Sequence, residues 1–153
     1  MSKRILASSL VGVVVVGGIA AGGLAVASAS ASSSTEPSLE NVSARYVAPT
    51  DSEAGSLTFT ADVSDDSGVK DLKVLPWPAG SGLDVSEKDL QHVDSAKCES
   101  TSAETSRCTY TLRVTKKEAA ELDQGRWYVS TLATAKDGDT TFESLSARFV
   151  VAD

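Results

Sequence analysis

Hydrophobic and polar residues alternate in short runs from Leu39 to the C-terminus, and turn-forming residues separate one run from the next. The clearest run is residues 57–63, where Leu, Phe, Ala and Val alternate with Thr and Asp. A period of two residues is typical of a β-strand that buries one face. Several such runs at regular spacing predict an all-β fold, a β-sandwich of about seven strands.

The apolar faces of the predicted strands indicate which residues form the core. Pro76 is expected to end the strand that begins at Val69, because a proline cannot donate a hydrogen bond to a neighbouring strand. Trp127 begins another strand, residues 127–135, and is expected to make the largest single contribution to the core. Two further strands have apolar faces made of Cys108, Tyr110, Leu112 and Val114, and of Leu145, Ala147, Phe149 and Val151.

Turn and helix signals lie between these strands. Residues 65–68 (Asp-Asp-Ser-Gly) and 136–139 (Lys-Asp-Gly-Asp) predict tight turns, the second of them a type I′ hairpin turn. Thr115 and Glu118 have the spacing of a capping box, which predicts a short helix over residues 116–122. A second helical turn is expected near residues 86–92. Three residues are then expected to face the core, namely Leu83, Leu90 and Val93.

The N-terminal segment has the organisation of a signal peptide. Lys3 and Arg4 precede residues 5–26, which carry no charge, and small residues follow at the spacing of a cleavage site. We therefore predict a signal peptide over residues 1–27, with cleavage after Ala27, Ala29 or Ala31, a flexible Ser/Ala-rich tether over 28–38 and a folded domain over 39–153. The alternative is an uncleaved membrane anchor formed by residues 5–26, which are numerous enough to span a bilayer. In either case the domain lies outside the cytoplasm.

The charge balance argues against two classes of partner. The chain has 14 basic and 21 acidic residues, a net charge of −7, and loss of Lys3 and Arg4 with the signal peptide makes the remainder more negative. Nucleic acids and anionic lipid surfaces bind clusters of Lys and Arg, so neither is an expected partner. The acidity is typical of a soluble, secreted monomer.

Two cysteines, Cys98 and Cys108, are the only ones in the sequence. In an exported chain they are expected to form one disulfide bond. A metal or redox pair is the alternative, but the C-x-x-C spacing is missing and no other Cys or His lies near them in the sequence. The residues between them, 99–107, are polar and loop-like, and a bond here is expected to close a hairpin that holds residues 96–98 against the strand that starts at Cys108.

Candidate chemistry is sparse. His92 is the only histidine and no G-x-S-x-G motif accompanies it, so neither an enzyme nor a cofactor is predicted. Asp62 and Asp66 have the spacing of the first ligands of an EF-hand loop, but the glycine comes one position late and the closing Glu is missing. Asp137 and Asp139 form a second acidic turn that could approach the first at one end of the sandwich. Since Asp and Gly are also what tight turns require, we favour a turn role and treat these four as weak calcium candidates.

Two residues are candidates for recognition of a partner. Trp77 lies between Pro76 and Pro78, where it is either an exposed binding residue or a cover for the edge of the sandwich. Arg107 precedes Cys108, in the position that a trypsin-like protease would recognise if the 99–107 loop were an inhibitor loop.

Two segments carry a resemblance to known proteins. Residues 122–129, with Leu122, Gly125, Trp127 and Val129, resemble the penultimate strand of bacterial immunoglobulin-like and fibronectin-like modules, and residues 59–69 resemble their second strand and following turn. The whole chain is similar to a family of small, uncharacterised secreted proteins of high-GC soil bacteria. The resemblance implies that the predicted sandwich is immunoglobulin-like, while function must be argued from a site.

These observations leave several functions open. The first hypothesis is a non-enzymatic binding or surface-interaction module whose partner is a protein or cell-wall material. The second is a secreted protease inhibitor that presents residues 99–107. A membrane-anchored extracellular module follows if residues 5–26 are retained. An enzyme is the least favoured class.

The mass of the natively exported protein tests the N-terminal prediction. We expect a chain that begins at Ser28, Ser30 or Ser32 and that gains the mass of two hydrogens when its cysteines are reduced. A full-length mass recovered from membranes would contradict the cleaved signal peptide and support the anchor.

Overall fold

The computed structural model describes residues 35–152. The predicted signal peptide and most of the predicted tether lie outside the described residues. Within the described part there are two short helices, α1 (Glu87–Leu90) and α2 (Lys116–Glu121), and one 3-10 turn (Ala79–Ser81). The strands are β1 (Ser38–Val47), β2 (Gly55–Ser64), β3 (Val69–Pro78), β4 (Lys97–Ser100), β5 (Thr105–Val114), β6 (Gly125–Ala135) and β7 (Thr140–Val151).

The seven described strands form two antiparallel sheets. One sheet has the order β1-β2-β5-β4 and the other the order β3-β6-β7. With the strands lettered A to G along the chain, these orders are ABED and CFG, the arrangement of constant-type immunoglobulin domains. The prediction of an all-β sandwich with two short helical turns is confirmed.

The core lies between the two sheets. Along β2 every second side chain points inward, so Leu57, Phe59, Ala61 and Val63 are all buried. From the other sheet they are met by Leu72, Val74, Val129, Ala133, Phe149 and Val151. Phe59 is the largest side chain that is fully buried.

The third strand continues through Pro76, contrary to the sequence prediction, and ends at Pro78. β3 is an edge strand, and Val74 donates its backbone N–H outward to the carbonyl of Asp94. Pro76 and Pro78 lie two and four residues further on, so their nitrogens also face away from β6. A missing N–H at this edge removes no ladder bond, and it prevents another strand from pairing there.

The connection from β3 to β4 covers the outer face of the three-stranded sheet. Its helix α1 contacts β3 and β6, with Leu90 fully buried. Leu132 of β6 is only 5 % exposed. Like Leu90, it is buried but does not belong to the core between the sheets. The prediction that Leu90 faces the core is confirmed, and Val93 is half-buried. The same prediction for Leu83 was wrong, because this residue precedes α1 and is 56 % exposed.

A bulge in β7 explains why Leu145 is 52 % exposed instead of buried. Ser130 of β6 faces three residues of β7, 144–146, because the register shifts between Val129 and Thr131. This irregularity interrupts the alternation that predicted a core position for Leu145.

The hairpin turn between β6 and β7 is also of a different type from the prediction. Gly138 donates its N–H to Ala135, and Gly138 alone in this turn has a positive φ, 102°. A type I′ turn needs positive φ at both central residues, here Lys136 and Asp137. The turn therefore has the three-residue form in which a glycine follows a type I turn.

The predicted disulfide joins Cys98 to Cys108, which face each other in β4 and β5. Most of the segment between them is strand, and only residues 101–104 form the turn. The disulfide therefore closes a β-hairpin, as predicted, and the loop is shorter than residues 99–107. The bond fits an extracellular protein, and among the described residues no helix is both long and apolar enough to cross a membrane.

Removal of the disulfide is expected to destabilise the domain. The double variant Cys98→Ala/Cys108→Ala should lower the free energy of unfolding by about 2.5 kcal/mol, because the unfolded chain loses the constraint of a short closed loop. Urea denaturation at equilibrium measures this change, and the reduced wild-type protein provides the matched comparison. An unchanged urea midpoint would show that the bond contributes nothing to stability.

Candidate functional site

An apolar groove opens between the two sheets at the end of the sandwich where β2 begins and β5 and β7 end. Its volume is about 380 Å³. The polar lining consists of Arg113, Glu118 and Glu121. The apolar lining consists of Tyr46, Leu57, Pro76, Leu112, Val114, Leu122, Trp127, Phe149 and Val151.

Leu112 is the residue that marks this groove as unusual. It lies in register with Leu57, which is 4 % exposed, and it therefore points toward the opposite sheet. Nevertheless Leu112 is 45 % exposed, while Val114 two residues later is 4 % exposed. The opposite edge strand, β3, contributes only Pro76 to the lining. A side chain that the pattern places in the core is thus left uncovered.

A row of three aromatic rings forms one wall of the groove. The ring of Phe149 stacks on Tyr46 at 6.5 Å and on Trp127 at 5.9 Å, measured between ring centroids. The indole N–H of Trp127 donates to the carbonyl of Asp123 at 2.7 Å, which fixes the orientation of the ring. Trp127 was predicted to dominate the core, but it is half-buried at the core's end, and Phe59 is the larger contribution to the fully buried interior.

One polar side chain at the rim of the groove, that of Glu118, caps the start of α2. The Glu118 carboxylate accepts hydrogen bonds from the backbone N–H and the hydroxyl of Thr115, both at 2.7 Å. These bonds, the backbone one first, lower the pKa of Glu118 below its usual value. Lys116 pairs with Asp51 and ties the start of α2 to the β1–β2 loop. The lining contains no Ser, Cys or His, so the arrangement is suited to holding an apolar group.

Residues 39–133 match the sequence model of a family described as "Family of unknown function (DUF5707)". The matched range is more than half of the chain. The chain belongs to DUF5707. The match spans β1 to β5, α2 and most of β6, so it includes the ten groove residues up to Trp127 but neither Phe149 nor Val151. No curated protein has significant sequence similarity to the chain.

In this DUF5707 protein Arg107 lies in the middle of a sheet. The Arg107 guanidinium donates two hydrogen bonds of 2.7 Å to the carboxylate of Asp62 on β2. Asn41 donates a third bond to Asp62, at 2.9 Å. The bonds from Arg107, followed by the one from Asn41, lower the pKa of Asp62 to about 2. Asp62 is therefore already paired with a cation, and Arg107 is held against a neighbouring strand.

Trp77 packs on the outer face of the three-stranded sheet. Its indole N–H donates to the Ser130 hydroxyl at 2.9 Å, and that hydroxyl donates to the carbonyl of Ser144 at 2.8 Å. The Trp77 ring meets Tyr128 edge-on, 5.0 Å between centroids. Trp77 thus joins all three strands of its sheet. Trp77 is half-buried by these contacts, and the apolar groove lies beside Trp127 instead.

The remaining predicted residues are divided between the surface and the far end of the sandwich. His92 is exposed. Asp66 and Asp137 lie close together, and they are joined by Asp65, which the sequence analysis did not single out. The EF-hand spacing indicated Asp62 and Asp66. The tight turn predicted over residues 65–68 was the better indication of which acidic residues come together.

The ion pair on β2 and β5 predicts a measurable change in acid behaviour. In Arg107→Ala the pKa of Asp62 should rise from about 2 toward the ordinary 3.8, as followed by NMR titration of the side-chain carboxyl. Because folding depresses this pKa, the pair contributes stability above pH 3.8 that is lost as the pH falls toward 2.

Arg113→Ala is the matched control, since Arg113 lies on the same strand and does not bond to Asp62. This variant should leave the Asp62 titration unchanged. An unchanged titration in Arg107→Ala would contradict the assigned cause.

Proposed function

We propose that this chain is an exported, non-enzymatic binding module of immunoglobulin-like fold, and that its groove receives an apolar side chain of a protein partner. The observation that carries the proposal is the exposure of Leu112 on an inward-facing sheet surface. Apolar side chains left uncovered in a preformed cleft are typical of binding sites.

The size and lining of the groove support one kind of occupant. A volume of about 380 Å³ is at the small end of ligand pockets and is suited to one large side chain. The walls are mostly apolar, and the stacked ring of Trp127 offers a flat surface for packing. Large apolar anchors in such pockets supply much of the affinity of protein interfaces.

Cell-wall glycans are the less favoured partner. A sugar needs several hydrogen bonds from side chains that are free to make them, in addition to an aromatic surface. Among the described residues the polar groups of the lining are the side chains of Arg113, Glu118 and Glu121 and the hydroxyl of Tyr46, and the Glu118 carboxylate is already bonded to Thr115. The lining therefore favours an apolar side chain over a polysaccharide.

The N-terminal pattern and the disulfide support export. Residues 1–27 carry the features of a signal peptide, and the Cys98–Cys108 bond forms in oxidising compartments. The membrane-anchored form stays an alternative to be decided by the mass of the exported protein.

The protease-inhibitor hypothesis has less support. An inhibitor presents its recognised arginine on an exposed, extended loop. Arg107 lies in β5 between β2 and β4, and its guanidinium is bonded to Asp62. The hypothesis stays a prediction, and inhibition of trypsin by the intact disulfide-bonded protein would revive it.

The groove can be tested by blocking it without disturbing the fold. Leu112→Arg puts a long charged side chain at the mouth of the groove, at a position that is 45 % exposed. Val150→Arg is the matched control, because Val150 is 61 % exposed and does not line the groove. Urea denaturation should first show that both variants remain folded.

Peptides selected from a random display library against the exported protein provide the ligand. We expect the enriched peptides to share an aromatic or large aliphatic residue. Leu112→Arg should weaken their binding at least about tenfold, the scale of a lost anchor contact, whereas Val150→Arg should leave it within about twofold. Peptides that bind Leu112→Arg as well as wild type, or purified muropeptides that compete for the groove, would contradict the proposal.

A further inference from the structure

Two tight turns meet at the end of the sandwich opposite the groove. They are the β2–β3 turn, residues 65–68, and the β6–β7 turn, residues 136–139. Lys136 donates its backbone N–H to the carbonyl of Gly68 at 2.9 Å, and Asp137 donates its own to the Ser67 hydroxyl at 3.2 Å. The two turns are therefore held together by direct hydrogen bonds, one between backbones and one from a backbone N–H to a side chain.

Gly68 makes this close approach possible. Its φ is +92°, and a Cβ at this position would lie 3.1 Å from the Nζ of Lys136 in the β6–β7 turn and 3.0 Å from the carbonyl oxygen of Ala103 in the β4–β5 turn. Any other residue would be both strained and crowded. The geometry of the two turns is thus specified by the sequence.

Three carboxylates converge where the turns meet. Asp65, Asp66 and Asp137 each offer an oxygen, and these oxygens lie within 4.8 Å of one another. The side chain of Lys136 packs beside Gly68, and none of the three carboxylates has a salt bridge in the described part of the chain. Three negative charges at this separation repel one another unless a cation lies between them.

Asp65 supplies the observation that goes beyond a cluster of acids. This residue is only 5 % exposed. Its Oδ1 accepts hydrogen bonds from the backbone N–H and the hydroxyl of Ser67, at 2.8 and 2.6 Å. Its Oδ2 is buried and has no hydrogen-bond partner. Leaving a buried carboxylate oxygen without a partner is costly, and a cation would remove that cost.

We propose that Asp65, Asp66 and Asp137 bind a calcium ion. Carboxylate oxygens are the ligands that Ca²⁺ prefers, and Ca²⁺ tolerates an irregular site completed by water better than Mg²⁺ does. Asp66 and Asp137 are exposed, so the site is open to solvent and resembles the weak sites of extracellular modules.

The calcium set differs from the one that the sequence indicated. Asp62 is bonded to Arg107 and lies along β2, away from the turn. Asp139 is outside the group of three, and its backbone N–H donates to Asp137. Asp66 and Asp137 are retained, and Asp65 provides the buried ligand.

Thermal unfolding of the exported, metal-free protein tests the site. With CaCl2 at about 10 mM, roughly ten times the dissociation constant of a weak extracellular site, Tm should rise by about 5 °C. MgCl2 at equal ionic strength should raise it much less. NMR titration with CaCl2 should move the amide signals of residues 65–68 and 137–139 before any others.

Substitutions distinguish a bound ion from general charge screening. Asp65→Asn keeps the shape of the side chain and the acceptor for Ser67, but it removes the buried charge. We expect this variant to be at least as stable as wild type without calcium and to lose the calcium-dependent rise in Tm.

Asp139→Asn is the control, because it removes one negative charge from the same turn and none from the site. It should keep the calcium response. No rise in wild type, or an equal rise in Asp65→Asn, would overturn the proposal.

Discussion

The two sheets of this sandwich are unequal, since four strands face three. The rest of the structure depends on how the apolar faces of both sheets are covered. The inner face of β2 is fully covered because it lies centrally. At one end of β5 the narrower sheet fails to reach Leu112, and the groove results. On the outer face of the narrower sheet, α1 buries Leu90. The exposed edge of β3 carries Pro76 and Pro78, which prevent pairing with another strand.

Features that depend on local sequence could be predicted well. The alternation over residues 57–63 indicated a buried face because each residue's side is fixed by a period of two. The capping box of Thr115 and Glu118 located α2 because its hydrogen bonds are made within one turn. Features that depend on neighbours could not be predicted. Pro76 is tolerated because β3 is an edge strand, and Leu145 is exposed because of a bulge opposite Ser130.

The candidate sites show the same division. Leu112 has the pattern of a core residue, and only the offset of the facing sheet reveals the groove. Arg107 was a candidate for the recognised residue of an inhibitor loop, whereas its pairing with Asp62 depends on the register between β2 and β5. The approach of the two acidic turns was anticipated from the sandwich topology. Asp65 was missed because its burial depends on parts of the chain that are distant in sequence, including the β4–β5 turn, where the carbonyl of Glu104 accepts a bond from the Asp65 backbone N–H.

The cysteine pair and the acidic turns together indicate how the sheets are held. In antibody-type domains a disulfide links the two sheets, but here Cys98 and Cys108 both belong to the four-stranded sheet. The backbone of Asp65 continues the β2–β5 ladder through Glu104, whereas that of Gly68 continues the β3–β6 ladder through Lys136. The carboxylates of Asp65 and Asp137 therefore come from opposite sheets. An ion between them would supply an inter-sheet link that the disulfide of this domain does not provide.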